Sequence, residues 1–237
     1  MQFKILALST VVLVSSLSAA LIRAAPPTSD PQVDITSPAD RSRLPWQSQG
    51  SYAVTISYDG KSTRFDEIPS SDVLLATSFV PDTDAPAARR AAPLPQALAD
   101  ITRSNCMGCH DFNASSGGPS FAAIGKRYAG QPAAAATLAA HIRDGSRGAW
   151  GSGSMPPHPD LAPAQAGAIA NWILTHGTDP AVRYYVGKSG SFRMITPGKP
   201  GPRAGLVLSA YYTGPLTSGG TRNAVGRNVV VVMGTGS

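Results

Sequence analysis

The sequence predicts an α+β protein of more than one domain, with a helical segment between two β-rich segments. Apolar residues recur at helical spacing only in the middle of the chain. β-branched and aromatic runs, separated by glycine and proline, lie before and after it. With 237 residues, of which 42% are hydrophobic, the chain has enough material for more than one packed core.

The N-terminus has the pattern of a secretory signal. Lys4 precedes an apolar run from Ile5 to Leu17, and small residues follow, with possible cleavage after Ala20 or Ala24. We therefore predict a signal peptide over residues 1–24 and a periplasmic or secreted mature protein. Because the apolar stretch continues to Ile22, an uncleaved anchor that would bring the protein to the membrane is the alternative.

Residues 32–80 are predicted to be a β-rich segment. Alternating or β-branched runs indicate strands from Val33 to Thr36, from Tyr52 to Tyr58 and from Asp72 to Val80. Proline and alanine dominate residues 81–93, which predicts a linker.

The segment 94–180 is predicted to be helical. Leu94, Leu98 and Ile101 form one helical stripe. An alanine-rich run from Pro132 to Gly145 and a second run from Pro163 to Gly177 have the proline start and glycine stop of helices. If the first and last helices cross, Leu98 and Ile101 meet Ile169, Trp172 and Ile173.

Strands resume in residues 181–237. The predicted runs are Arg183 to Val186, Ser191 to Ile195, Gly205 to Tyr212 and Asn228 to Met233. Each β segment alone is small for an independent core, so we predict that both complete one Ig-like sandwich. The helical domain is then an insertion in that sandwich. Two separate small β modules are the competing interpretation.

The most informative motif is Cys106-Met107-Gly108-Cys109-His110. Two thiols at this spacing, followed by an imidazole, are what covalent attachment of a c-type haem requires. The thiols would form thioethers with the porphyrin, and His110 would bind one face of the iron. A thioredoxin-like dithiol requires a βαβ context, and a zinc site requires further ligands at suitable spacing. The sequence indicates neither.

Met155 is the candidate for the second axial position. It lies in a loop rich in glycine and is followed by Pro156 and Pro157, which restrict the backbone beside it. A thioether ligand favours Fe(II) and closes the iron to substrates. His158 is the rival ligand.

These residues resemble a class I cytochrome c of the small bacterial respiratory type. The matching pieces are the attachment motif, Gly118-Pro119-Ser120-Phe121, Gly148-Ala149-Trp150-Gly151, Met155-Pro156-Pro157 and the last helix with Trp172. The resemblance implies a covalent haem c with its iron, and electron transfer rather than enzymatic catalysis. It also implies that the Pro119 carbonyl accepts a hydrogen bond from His110, and that the Trp150 indole donates to a haem propionate.

The flanking segments resemble haem-bearing regions of secreted quinoprotein sugar dehydrogenases. This resemblance depends on residues 183–187, residues 191–193 and the closing valine run. It implies a redox protein partner such as a periplasmic dehydrogenase, a terminal oxidase or a reductase. A haem-containing module that binds carbohydrate or belongs to a dehydrogenase complex, and a peroxidase-like enzyme with an open haem site, are the alternatives.

Charge adds little to this interpretation. The formal net charge is +6 at pH 7, and only 14% of residues are charged. The lysines and arginines are scattered rather than clustered, which argues against nucleic acid as a partner.

Overall fold

The computed structural model describes residues 31–58, 61–62, 68–90, 92–213 and 226–236. The predicted signal peptide lies outside these residues. Within them the chain is mixed, with helices confined to the middle and strands mainly on both sides. Among the described helices, none has the length and apolar character needed to cross a membrane.

Eleven strands occur in the described residues. In chain order they are β1 (Gln32–Ser37), β2 (Ser42–Pro45), β3 (Gln49–Tyr58), β4 (Lys61–Ser62), β5 (Val73–Val80), β6 (Ser146–Arg147), β7 (Ser154–Met155), β8 (Val182–Val186), β9 (Ser189–Arg193), β10 (Gly205–Tyr212) and β11 (Gly226–Thr235). The seven strands expected from the sequence are present, with ends shifted by up to three residues. The short strands β2, β4, β6 and β7 were not predicted.

Four α-helices occupy the middle of the chain. They are α1 (Gln96–Arg103), α2 (Phe121–Tyr128), α3 (Ala134–Asp144) and α4 (Pro163–His176). The sequence predicted α1, α3 and α4, whereas α2 was missed. Ser120 caps α2 by accepting a hydrogen bond from the Ala123 backbone N–H at 3.1 Å.

Strands from before and after the helices pair with one another. Sheet A contains β1, β3, β4 and β9, and sheet B has the order β2-β11-β10-β5-β8. In sheet B, β5 lies antiparallel between β10 and β8, with Leu75 opposite both Ala210 and Tyr185. In sheet A, β3 pairs with β9, with Ser51 opposite Ser191. The two β-rich segments therefore share both sheets.

Sheet B is buried on both faces. Val73 and Leu75 of β5 belong to a cluster shared with sheet A, which we call the inner core. Leu74 and Ala76 belong to a second cluster shared with the helices, which we call the outer core. Because successive strand residues point to opposite faces, this arrangement explains why β5 is a continuous apolar run rather than an alternating one.

The outer core contains the helix contact expected from the sequence. Leu98 and Ile101 of α1 are fully buried in one cluster with Ile169, Trp172 and Ile173 of α4. The opposite side of α1 meets sheet B, where the Thr102 and Thr213 hydroxyls lie 3.0 Å apart. As a result six successive residues of α1, Ala97 to Thr102, are buried.

The predicted linker, residues 81–93, is tied to the β sheets. Ion pairs join Asp82 to Arg203 at 2.9 Å, Asp84 to Arg41 at 2.7 Å and Arg89 to Asp40 at 3.2 Å. Asp40 also accepts a hydrogen bond from the Val231 backbone N–H at 2.9 Å. These side chains are about half exposed, so each pair alone contributes little stability, but together they hold the segment against sheet B.

Candidate haem site

The attachment motif forms a tight turn directly after α1. Cys106–Gly108 is a single turn of 3-10 helix, and the His110 backbone N–H donates to the Cys106 carbonyl at 2.9 Å. Asn105 has φ 55°, a left-handed conformation that asparagine tolerates better than most residues. This turn reverses the chain so that both thiols and the imidazole line one cleft.

The two cysteines are free thiols in different surroundings. Cys106 is buried, whereas Cys109 is exposed. Burial disfavours the thiolate and raises the pKa of Cys106 to about 11. Neither sulfur is engaged in a disulfide, which is the state that thioether formation requires.

The His110 imidazole is held on several sides. Its Nδ1 lies 2.7 Å from the carbonyl oxygen of Pro119, the hydrogen bond that the resemblance implies. Phe121 stacks on the ring, with centroids 5.4 Å apart and planes 20° from parallel. A side chain at Gly118 would meet Cε1 of the ring at 2.9 Å. With Nδ1 donating to Pro119, Nε2 is the nitrogen left to bind a metal.

Met155 is placed in the same cleft by a small hairpin. β6 and β7 pair antiparallel, with Ser146 opposite Met155. Gly145 ends α3 with φ 78°, and a Cβ there would lie 2.7 Å from the Met155 carbonyl oxygen. Glycine is therefore required at this position. The Met155 side chain is half-buried and packs against the outer core.

The cleft brings together all six predicted site residues. Cys106, Cys109, His110, Pro119, Trp150 and Met155 all line it. Its floor is apolar, with Ile124, Leu138, Ile142 and Ile173. The rival ligand His158 lines it as well.

Two cleft residues with nitrogen-bearing side chains were not assigned to the site from the sequence. The first is His141 of α3. Its position between Leu138 and Ile142, both buried, was the available signal. Asn105, directly before the motif, is the second.

Trp150 stands at the rim of the cleft. It is 37% exposed, and the Arg127 guanidinium carbon lies 4.5 Å from its ring centroid. This distance corresponds to a cation–π contact. The contact places a positive charge from α2 beside the indole that the resemblance assigns to a propionate.

The donor set fits a haem better than a bare metal ion. Two free thiols, an imidazole with one nitrogen committed to Pro119, and an apolar floor are what a covalently attached porphyrin needs. The zinc alternative requires further ligands. Among the described residues, no group of three or more histidine, cysteine or acidic side chains converges to hold an ion.

Comparison with known proteins gives the same result. The family model "Cytochrome c" matches residues 97–177. Cytochrome c-552 of Hydrogenobacter thermophilus is 42% identical over 86 residues, which cover 33% of this chain and 87% of the relative. Cytochrome c-551 of Azotobacter vinelandii is 45% identical over 71 residues, covering 30% and 85% respectively. The crystal structure of Nitrosomonas europaea cytochrome c552 is 40% identical and covers 32% of this chain and 93% of that one, with a TM-score of 0.31.

The fold and the cleft therefore define a haem protein with a class I cytochrome c domain. The chain belongs to the cytochrome c family. Its cofactor is a covalently bound haem c with iron, and it is a c-type haem electron carrier. The family match at residues 97–177 lies within the helical segment and leaves sheets A and B outside it.

Proposed function

We propose that this protein is an exported cytochrome that carries single electrons through one haem with His110 and Met155 as axial ligands. Cys106 and Cys109 form the two thioether links, and a redox protein in the same compartment supplies the electrons. The observation that carries the proposal is the convergence of these four side chains on one cleft.

Haem c supplies a one-electron Fe(II)/Fe(III) couple when it is bound. His110 contributes Nε2 because Pro119 occupies Nδ1, which fixes the tautomer and raises the basicity of the ring. Met155 contributes a neutral thioether that favours Fe(II). The apolar floor would exclude water from the bound haem, and His110 and Met155 would hold the iron in both oxidation states, so the ligands need not change during electron transfer.

The ligand assignment is tested with Met155→Ala. We expect loss of the near-infrared methionine-to-iron band of the oxidised protein and a lower reduction potential. His158→Ala is the matched control, because His158 lines the same cleft, and it should keep the band. A wild-type protein without this band, whose spectrum and potential change in His158→Ala but not in Met155→Ala, would reverse the assignment. Ready binding of cyanide or peroxide by the wild type would indicate an open site instead.

The electron donor is proposed to be a periplasmic dehydrogenase. The resemblance of residues 183–187, residues 191–193 and the valine run of β11 to parts of quinoprotein sugar dehydrogenases supports this class of partner. Carbohydrate binding by the β sheets is the alternative. The test is capture of partners by the exported protein from the periplasm of its host, followed by stopped-flow reduction with the recovered dehydrogenase. Failure of every recovered dehydrogenase to reduce the haem would overturn the assignment.

We further propose that the two β-rich segments form one Ig-like sandwich and that the cytochrome domain is inserted in it. The pairing of β5 with β8 and β10, and of β3 with β9, supports a single unit over two modules.

Export is supported by the sequence pattern of residues 1–24. N-terminal sequencing of the protein recovered from the periplasm tests cleavage after Ala20 or Ala24.

A further inference from the structure

A chain of aromatic rings runs from the proposed iron ligand to the edge strand of sheet B. Phe121 stacks on His110, and Phe112 meets Phe121 edge-on with centroids 5.3 Å apart. Phe112 in turn lies 4.9 Å from the ring of Tyr184, on strand β8. Tyr184 therefore touches the support of the axial histidine from outside the cytochrome domain, which the family model ends at residue 177.

The backbone ties the same residues together. Phe112 is two residues after His110, and its carbonyl accepts from the Ala122 N–H at 3.1 Å. The Asp111 carbonyl accepts from the Phe121 N–H at 3.0 Å. Any displacement of the Phe112 ring is therefore passed to both His110 and Phe121. Phe112 and Phe121 are each 3% exposed, so neither ring has free space to move alone.

Tyr184 is itself fixed by sheet B. Its backbone pairs with Ala76 of β5, and Trp172 meets its ring edge-on at 5.5 Å. A side chain held at both backbone and ring is a rigid support rather than an adaptable filler.

We propose that Tyr184 is a positioning residue that fixes the orientation of the His110 imidazole through Phe112 and Phe121. The inference rests on the proposed ligation of iron by His110. The β sheets then have a role in the redox centre, since the orientation of an axial ligand is one of the protein's means of tuning a haem.

The test uses holoprotein produced in a host that attaches haem c. The paramagnetic proton shifts of the haem methyl groups in the oxidised protein report the orientation of the axial ligands. Tyr184→Leu removes the ring and keeps much of the bulk, so we expect a changed pattern of methyl shifts and a shifted reduction potential. Tyr184→Phe keeps the ring and should restore the wild-type pattern.

Tyr185→Leu is the matched control. Tyr185 is the next residue on the same strand, but its ring packs in the inner core, 6.3 Å from Tyr52. It should lower the melting temperature and leave the methyl shifts unchanged. Should Tyr184→Leu fail to fold, Phe112→Leu interrupts the same chain of rings from the cytochrome side.

The outcomes separate this inference from the proposed ligation. Unchanged methyl shifts in both Tyr184→Leu and Phe112→Leu would overturn the inference, as would equal changes in Tyr185→Leu. A reduced wild-type protein without the upfield methionine methyl signal would instead overturn Met155 as a ligand, and would leave the inference, which needs only His110, to the comparison of methyl shifts.

Discussion

The inner and outer cores share sheet B but differ in how they are completed. The inner core closes on its own side chains, among them the fully buried Leu206, Leu208 and Met194. The outer core borders the cleft that the thiols and imidazole of the haem motif line. One core is therefore closed by side chains alone, whereas the other faces the site where haem c would pack, so we expect only the second to depend on the cofactor.

The largest expected effect comes from removing both thioether links. Cys106→Ala with Cys109→Ala should abolish covalent haem, measured by haem staining after denaturing electrophoresis. Helical circular dichroism should fall because the cleft loses its contents, while the strand signal remains. A variant that keeps full helical signal without haem would show that the outer core needs no cofactor. Single substitutions, each keeping one thioether, are the controls.

Shortening a side chain in the inner core should change the stability of the protein and leave the haem site unchanged. Leu208 is fully buried, and Leu208→Ala should lower the free energy of unfolding by about 2–5 kcal/mol through lost packing and the cavity left behind. Urea denaturation measures the loss. We expect the methionine-to-iron band to be unchanged, and its displacement would contradict the separation of the two cores.

A substitution beside the proposed ligand His110 should change the properties of the haem more than the stability of the protein. In Gly118→Ala the new methyl group meets Cε1 of His110 at 2.9 Å, so the ring must shift against Pro119. We expect a changed reduction potential, and a stability loss of about 1–3 kcal/mol from overpacking. Voltammetry and thermal melting measure the two effects.

Gly167→Ala serves as the control for that substitution. Gly167 lies in α4 with no atom within 4 Å of the Cβ position. This variant should gain about 1 kcal/mol from helix propensity and keep the wild-type potential. An equal change of potential in both variants would mean that the effect of Gly118→Ala does not come from contact with His110.

The smallest expected effect is a pH dependence of the free energy of unfolding, which comes from Asp72 in the turn directly before β5. Burial raises the pKa of the Asp72 carboxyl, so the folded state holds this proton more tightly than the unfolded state. The stability contributed by that proton is full below the unfolded pKa of about 3.9 and is lost as the pH rises through the folded value. Asp72→Asn should therefore be more stable than the wild type at neutral pH, with a gap that narrows in acid. The urea midpoints of the two proteins at neutral and at acidic pH measure this difference in stability. A difference that does not change with pH would contradict the raised pKa of Asp72.

Local patterns were enough to predict much of the fold and to select six residues that line one cleft. The stripe Leu98 and Ile101 and the proline at the start of α4 identified their helices, and the motif at 106–110 identified the cofactor. Helix α2 was missed because its eight residues, with alanine and glycine among them, give a short stripe and its cap is a single serine. Strand β2 was missed because it is four residues long, polar and ends at a proline.

Contacts between distant segments could not be read from the sequence. The residues next to Tyr184 in the sequence do not indicate that it contacts Phe112, because that contact depends on how sheet B packs against the helices. The cleft position of His141 likewise follows only from the packing of α3 in the outer core. Spacing along the chain predicts candidate ligands, whereas the residues that support those candidates emerge from tertiary structure.

The double burial of sheet B has a consequence for biogenesis. Leu74, Ala76 and Tyr211 are buried on the face of sheet B that the helices cover. If the helical layer loosens without haem, as the cysteine double variant tests, these side chains become an exposed apolar surface. A newly made polypeptide without haem would then be a target for proteases and self-association, and attachment of the porphyrin would act as its maturation checkpoint. Cells deprived of haem should accordingly degrade this protein instead of accumulating it.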